Sequence, residues 1–269
     1  MTHMIYVVPS LKAKEKLQCE GKAWAESQGF TYVPRGKRTI QDLMDEYGED
    51  FLVYSSRGPQ IDRPEGSHFF SLNMAELRIQ NLRKGQRDHL LEALMGRGSS
   101  KLPITVLDCT CGFGADAAVA SFGLPTGSRV DALEVSPLLE AVTSWGFSHF
   151  VHKKDDVTAA LRRISLRRGD YRDYLLSDEE PVYDVLYFDP MFQRPVEASC
   201  QFQPVRAIME HGGLTRDLIE RALQKARRRV VIKERDFRQL CRDFPEVTLY
   251  GGKYSRIGYA VLECDSWKK

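Results

Sequence analysis

Asp108, Glu134, Asp170 and Asp189 each follow or close a short run read as a strand, at Ile104 to Cys109, Arg129 to Val135, Ser165 to Arg168 and Val182 to Phe188. In an open parallel sheet, ligands sit beyond the carboxyl ends of the strands, so four acids at four such ends mark a candidate site. Gly112, Gly114 and Ala117 follow Asp108 in the pattern G-x-G-x-x-A, and Glu134 lies twenty residues beyond Gly114. That is the spacing of a dinucleotide fingerprint, in which glycines let the backbone approach a ligand and a carboxylate accepts hydrogen bonds from ribose hydroxyls. NAD and S-adenosylmethionine both carry such a ribose. Charge separates them, because a pyrophosphate needs bare amides at the helix N-terminus. Here Asp108 precedes the first glycine by four residues and Asp116 falls in the first turn of the following helix. An ammonium and a sulfonium suit that environment better, which favours S-adenosylmethionine and leaves NAD as the alternative.

The stretch Asp189-Pro190-Met191-Phe192 sharpens the preference. It is similar to the (Asp/Asn)-Pro-Pro-(Phe/Tyr) signature of amino-group methyltransferases, with Met191 in place of the second proline. A conjugated exocyclic amine is a poor nucleophile. A carboxylate and the Pro190 carbonyl can accept its N–H groups and draw the lone pair towards a methyl group, while an aromatic ring stacks on the base.

These residues require a scaffold. From Leu102 onward, strand-like and helix-like segments alternate, which predicts a mostly parallel sheet with helices on both faces. Strands are expected over 104–109, 129–135, 165–168, 182–188 and 229–233, with helices over 115–122, 137–147, 155–163, 214–226 and 236–242. Residues 247–250 and 259–264 read as a closing antiparallel hairpin. Before residue 72 the pattern predicts a small α/β subdomain: strands at 4–8, 30–33 and 51–55, a helix at 11–28 closed by Gly29, and another at 39–47 capped by Thr39. Between the two, Asn73 to Met95 has helical spacing interrupted by Gly85 and a middle crowded with Arg78, Arg83, Lys84 and Arg87. A kinked or broken helix is expected there, then a flexible join at 96–101. The expected organisation is a subdomain at 1–72, a basic connecting helix and linker at 73–100, and a catalytic domain at 101–269.

The 269 residues, 42% of them hydrophobic, suffice for a sizeable core. Thirty-nine basic against thirty-seven acidic residues argue neither for nor against nucleic acid. Local clusters carry more: seven basic residues against three acidic from Lys153 to Arg172, and eleven against five from Arg206 to Arg242. The six cysteines lack a repeating or zinc-ligand spacing, no basic-then-apolar leader precedes them, and no apolar run nears the ~20 residues of a membrane span. A soluble, cytoplasmic, metal-free protein with reduced thiols is expected.

Taken in order, these segments resemble the bacterial 16S ribosomal RNA guanine-N2 methyltransferase family, which modifies a guanine near the 3′ end of that RNA. The resemblance lies in Met74-Ala75 and the basic stretch through Arg87, LDCTCGFGADAAVAS at 107–121, LEVSP at 133–137, VLYFDPMF at 185–192, RRRVVIKERDF at 227–237 and the closing hairpin. It covers about residues 73 to 262, and D-P-M-F with R-V-V-x-K is its most specific part. It implies a Rossmann-like class I methyltransferase sheet binding S-adenosylmethionine through Ala115-Asp116, Glu134-Val135, Gly169-Asp170 and Asp189. Departures from the family pattern occur at several of these positions. Ala115 and Val135 stand where the family has arginines, Gly169-Asp170 where it has a serine pair, and Gln193 where it has a proline.

The combined expectation is methyl transfer from S-adenosylmethionine to an exocyclic base amine, by direct attack. Asp189 and Pro190 orient the amine, Phe192 stacks the base, and Glu134 holds the ribose. Gly112, Gly114 and Val135 line the cofactor, with Asp108 and Asp116 at its methionine end. Arg78, Arg83, Lys84, Arg87 and Arg227 hold RNA phosphates. The alternatives are an amine methyltransferase acting on another RNA, DNA or protein, an NAD-dependent oxidoreductase, and a non-catalytic RNA-binding module.

Overall fold

The computed structural model describes residues 4–96, 102–178, 182–190, 213–251 and 257–266. These fall into two compact units. One holds residues 4–71 together with 136–150, and the other holds most of the remainder.

The first unit is a five-stranded sheet in the order β2-β1-β3-β4-β5. Its strands are β1 (Tyr6–Pro9), β2 (Thr31–Tyr32), β3 (Phe51–Ser55), β4 (Gly58–Arg63) and β5 (Gly66–Phe69). β1 lies parallel to β2 and β3, while β3-β4-β5 forms an antiparallel meander. Helix α1 (Glu15–Ser27) starts four residues later than expected. Helix α2 (Ile40–Tyr47) begins in a capping box: Thr39 Oγ1 accepts from Asp42 N–H at 3.1 Å and Asp42 Oδ2 from Thr39 N–H at 2.7 Å. Strands β4 and β5 were not expected: Gly58, Pro59 and Gly66 are poor strand formers. Gln60, Asp62 and Arg63 also break the apolar pattern, yet all six β4 residues are buried. The third helix of this unit comes from later in the chain. It spans Pro137–His149, has Ser136 as N-cap and Pro137 in its first turn, and brings Gly146 against the Phe70 ring.

The second unit opens with α3 (Asn73–Arg83) and α4 (His89–Met95), the expected broken helix, parted where Gly85 adopts a φ of 76°. A seven-stranded sheet follows in the order β11-β12-β10-β9-β6-β7-β8. Its strands are β6 (Thr105–Asp108), β7 (Arg129–Glu134), β8 (Ile164–Arg168), β9 (Val185–Phe188), β10 (Arg229–Glu234), β11 (Thr248–Gly251) and β12 (Gly258–Glu263). The five strands from β10 through β9, β6 and β7 to the edge strand β8 are parallel, and β12 inserts antiparallel between β10 and β11. This is the Rossmann-like sheet expected from the sequence. Helix α5 is Ala115–Gly123; numbering the Pro137–His149 helix α6, the others are α7 (Asp155–Arg162), α8 (Tyr171–Leu176), α9 (Arg216–Lys225) and α10 (Arg238–Asp243). The sequence reading missed α8, whose N-cap Asp170 was counted only as a ligand-facing acid.

Strand alternation sorts the side chains of this sheet. Leu186, Phe188, Val230 and Ile232 turn to one face and join a core with Ile219 and Leu223 of α9. Tyr187 and Lys233, at the intervening positions, turn to the other face, where their polar ends meet Asp116 of α5. Among the described residues, no helix is long and apolar enough to cross a membrane, and no three His, Cys, Asp or Glu side chains gather as metal ligands.

Candidate active site

The sheet order reverses direction at β6, with β7 and β8 on one side and β9 and β10 on the other, so a crevice opens at the carboxyl ends of β6, β7 and β9. Asp108 ends β6 and is buried; its Oδ1 accepts from Thr110 N–H at 3.0 Å. The chain then turns on Gly112 (φ 52°) and Gly114 (φ 75°), and Gly114 caps α5 in the left-handed conformation. Both conformations favour glycine. Among the described residues, the nearest atom to a Cβ added to Gly112, its chain neighbours aside, is Thr110 O at 3.9 Å, an ordinary contact. Glu134 ends β7, and its Oε2 accepts from Gly112 N–H at 2.8 Å, tying the ribose-type acid to the glycine turn.

Asp189 follows β9. Its N–H donates to Thr110 Oγ1 at 2.6 Å, which fixes the Asp189-Pro190 step beside the same turn. Its Oδ2 accepts from Lys233 Nζ at 2.7 Å, and that ammonium also donates to Asp116 Oδ2 at 2.8 Å. Asp116 accepts in addition from Tyr187 OH at 2.7 Å and from Arg78 Nη1 at 2.5 Å. Arg78 is itself held by Asp88 through two bonds of 2.7 Å. Thus Asp88, Arg78, Asp116, Lys233 and Asp189 form one continuous chain of charges, with the Lys233 and Asp116 side chains only 14% and 9% exposed.

Burial dominates the titration of this cluster. It pushes Asp108 well above the usual carboxylate range, only partly offset by the Thr110 N–H, and nearby Asp116 and Asp189 push it further. Burial also raises Asp116, but Lys233 and Arg78 outweigh it and hold the carboxyl low. Asp189 is pushed up to about 6 by burial, against the pull of Lys233 and with the push of Asp116. For Lys233, burial disfavours the charge and the two carboxylates more than restore it, so the ammonium persists. That Lys233 stays charged while Asp189 still titrates high has a simple cause: one ammonium is divided between two carboxylates, and Asp116 has Arg78 as well.

The cluster suits a cationic ligand. Arg78 and Lys233 face three carboxylates, Asp88, Asp116 and Asp189, with the buried carboxyl of Asp108 nearby. Asp108, among the described residues, has one hydrogen bond, from a backbone amide. A glycine turn with an acid beside it and surplus negative charge fit an adenosyl group ending in an ammonium and a sulfonium. They do not fit a pyrophosphate at the α5 N-terminus.

The structure brings Asp108, Gly112, Gly114, Ala115, Asp116, Glu134, Val135, Asp189 and Pro190 to this crevice. Gly169 and Asp170 stand at the end of β8, where Asp170 caps α8 through Arg172 N–H at 2.8 Å and also pairs with the Arg172 side chain. Phe192, with Met191 and Gln193, lies outside the described residues. Both oxygens of Asp116 accept from protein donors, Arg78 on one and Lys233 and Tyr187 on the other. Arg78 is paired with Asp88 and Asp116. Of the other proposed phosphate contacts, Arg83 pairs with Asp156, Arg87 reaches Glu92 at 3.6 Å, and Lys84 and Arg227 are exposed.

The sequence reading missed Thr110, Tyr187 and Lys233 as site residues. A signal for Lys233 existed: Ile232 pairs with Phe188, so a lysine one position beyond stands alongside Asp189. A second feature also went unread. A cleft of about 800 Å³ borders Pro190 and includes Arg216, Arg235, Arg238 and Arg242 in its lining, interspersed with Glu234, Asp236 and Asp243.

Comparisons with known proteins agree with this chemistry. A family model described as "Putative SAM-dependent methyltransferase" matches residues 67–257. The protein YpiP of Bacillus subtilis is 29% identical over 230 residues, 85% of this chain and 88% of that protein. A ribosomal RNA small subunit methyltransferase J of Marinobacter nauticus is 28% identical over 194 residues, 71% of this chain and 66% of that protein. Its counterpart in Thioalkalivibrio sulfidiphilus is 30% identical over 161 residues, 58% of this chain and 61% of that protein. The chain therefore spans less than two thirds of the length of these two methyltransferases. Among solved structures, a SAM-dependent methyltransferase from Neisseria gonorrhoeae matches with a TM-score of 0.61 at 18% identity, covering 96% of this chain and 95% of that one. At that identity the match speaks to the fold.

Proposed function

Because the chain belongs to the SAM-dependent methyltransferase family, whose match spans residues 67–257, we propose that its acceptor is the exocyclic N2 amine of a guanine in small-subunit ribosomal RNA. The observation that carries the amine is the position of Asp189-Pro190, pinned by Thr110 beside the glycine turn with a carboxylate and a carbonyl at hand. The ribosomal substrate is suggested by the two relatives named ribosomal RNA small subunit methyltransferase J.

S-adenosylmethionine supplies an electrophilic methyl group when bound. The residues of the chain do the rest. Glu134 accepts from the ribose hydroxyls while keeping the Gly112 turn in place, and Asp108 offers a carboxyl oxygen to the ammonium end, whose positive charge would favour its ionised form. Among the described residues, Asp189 Oδ1 has no hydrogen-bond partner and is available to accept an N–H of the amine. The Pro190 carbonyl accepts the other, and Phe192 stacks on the base. The chemistry the cofactor would supply is a methyl cation equivalent to the nitrogen held by these acceptors, and the Asp189 carboxylate, already accepting from that N–H, would take the proton the nitrogen sheds. Lys84, Arg87 and Arg227, with Arg235, Arg238 and Arg242 of the cleft beside Pro190, hold phosphates of the RNA. The setting would be the cytoplasm, where ribosomal subunits are assembled.

The test is labelled methyl transfer to ribosomal RNA and subunits by wild type and Asp189→Asn, with methylation mapped on RNA from cells with and without the protein. D189N should bind the cofactor within about tenfold of wild type, ~1.4 kcal/mol, and lose most transfer. Equal turnover by the two proteins would remove Asp189 from its role. A map without a guanine-N2 difference would remove the proposed substrate.

A further inference from the structure

We propose that Lys233 is a positioning residue of the acceptor site, clamping Asp189 Oδ2 so that the carboxylate stays charged and presents Oδ1 to the amine. This deepens, and rests on, the reading of Asp189 as the group that receives the amine.

Geometry carries the assignment. A carboxylate can rotate about its last torsion, and a buried one tends to take up a proton and become a donor. Either change would spoil it as an acceptor for an N–H. The 2.7 Å bond from Lys233 Nζ opposes both. The lysine in turn cannot swing away, because Asp116 holds it at 2.8 Å. Asp116 is fixed from behind by Tyr187 OH and by Arg78, whose guanidinium is forked onto Asp88. Side chains from α3, α5, β9 and β10, and the N-cap of α4, thus brace a single oxygen of the candidate acceptor.

The groups acting on Asp189 come from every neighbouring element. They are Lys233 and Glu234 on β10, Asp116 on α5, Asp108 on β6 and Tyr187 on β9, with Tyr259 on β12 and Arg78 on α3 reaching it through Lys233 and Asp116. Among the described residues, Lys233 is the cation that hydrogen-bonds Asp189. Removing it leaves a buried carboxylate surrounded by acids and phenols.

The experiment pairs a readout on the free protein with one on turnover. Carboxyl ¹³C NMR follows the titration of Asp189, assigned by the signal absent in D189N, in wild type, Lys233→Met and Lys233→Arg. Calorimetry with S-adenosylhomocysteine checks that each variant is folded and binds cofactor. In wild type the carboxyl titrates near pH 6. In K233M it rises by about one pH unit or more, the size of effect an adjacent opposite charge has, and K233R restores it. In methyl transfer, kcat for K233M falls by about tenfold to a hundredfold, with cofactor affinity kept, and the acid limb of the pH profile moves up with the carboxyl. Should K233M not fold, Lys233→Gln keeps a donor while removing the charge and carries the same expected direction. An Asp189 titration that is the same in wild type and the neutral variant overturns the proposal, as does wild-type turnover with an unmoved acid limb. D189N separates the two readings: full activity in D189N refutes the amine-acceptor role itself, whereas an inactive D189N beside an unperturbed K233M refutes Lys233 alone.

Discussion

Replacing Asp116 by Asn tests the buried charge chain at its hub. The carboxylate takes three donors: Arg78 on Oδ1, and Lys233 and Tyr187 on Oδ2. Asparagine matches the shape but offers one acceptor oxygen, so its NH₂ must face either the guanidinium or the ammonium and hydroxyl. Removing one partner of a buried ion pair costs about 3–5 kcal/mol. Arg78 keeps Asp88 and Lys233 keeps Asp189, so neither cation is stranded, and the loss should fall at the low end, about 3 kcal/mol. Urea unfolding followed by circular dichroism measures it. The variant has a second consequence of definite sign. Asp116 pushes Asp189 up and takes half of its lysine. Without it, Lys233 serves Asp189 alone, the carboxyl titrates lower, and the acid limb of methyl transfer moves down, opposite to the shift expected for K233M. A loss below about 1 kcal/mol, the range of exposed ion pairs, or an acid limb that stays put or moves up, would refute the account of a shared ammonium.

Glu134→Gln should leave the Gly112 turn intact, because an amide oxygen can still accept from Gly112 N–H. It should weaken S-adenosylhomocysteine binding in calorimetry by about tenfold to a hundredfold, the value of a charged acceptor to a ribose hydroxyl; a change within twofold would exclude the ribose role. His68 is buried and titrates at about 4 instead of 6.5. As pH falls from 6.5 to 4, the unfolded chain gains a proton that the folded one refuses, so stability drops by up to about 3 kcal/mol. His68→Gln should flatten that part of a stability-versus-pH curve measured by urea unfolding. Gly146→Ala would place a Cβ 1.9 Å from Phe70 Cγ, and that ring is already packed edge-on against Phe147 and Phe150. Overpacking of this kind costs about 1–3 kcal/mol, read as a lower melting temperature.

The sequence was most informative where local chemistry and fold point the same way. The run from Val106 to Ala120 is a strand, a glycine turn and a helix of small residues, and each part follows from residue type alone. Gly85 likewise marked the break between α3 and α4. The sequence was silent where meaning depends on distant partners. Arg78 sits in a basic stretch that hides its partners Asp88 and Asp116, which lie ten and thirty-eight positions away. The three donors of Asp116 likewise come from three other elements. Lys233 looked like the polar end of an apolar strand, and only the β9-β10 pairing places it beside Asp189. β4 escaped notice because it buries Gln60, Asp62 and Arg63. Gln60 donates to Asp62 at 2.9 Å and Arg63 to the Asp62 carbonyl at 2.8 Å, pairings invisible in a hydrophobicity pattern.

The helix Pro137–His149 clusters with the amino-terminal sheet although it is encoded between two strands of the other sheet. This makes the small unit a discontinuous module. A fragment that begins at residue 72 would retain the helix but lose Phe70 and β4, exposing the groove at Gly146 and the Trp145 ring that lies over Gly58. Chimeras that exchange the amino-terminal unit between relatives must therefore graft both segments together. A circular permutant opened in the 96–102 join would keep both segments in one chain.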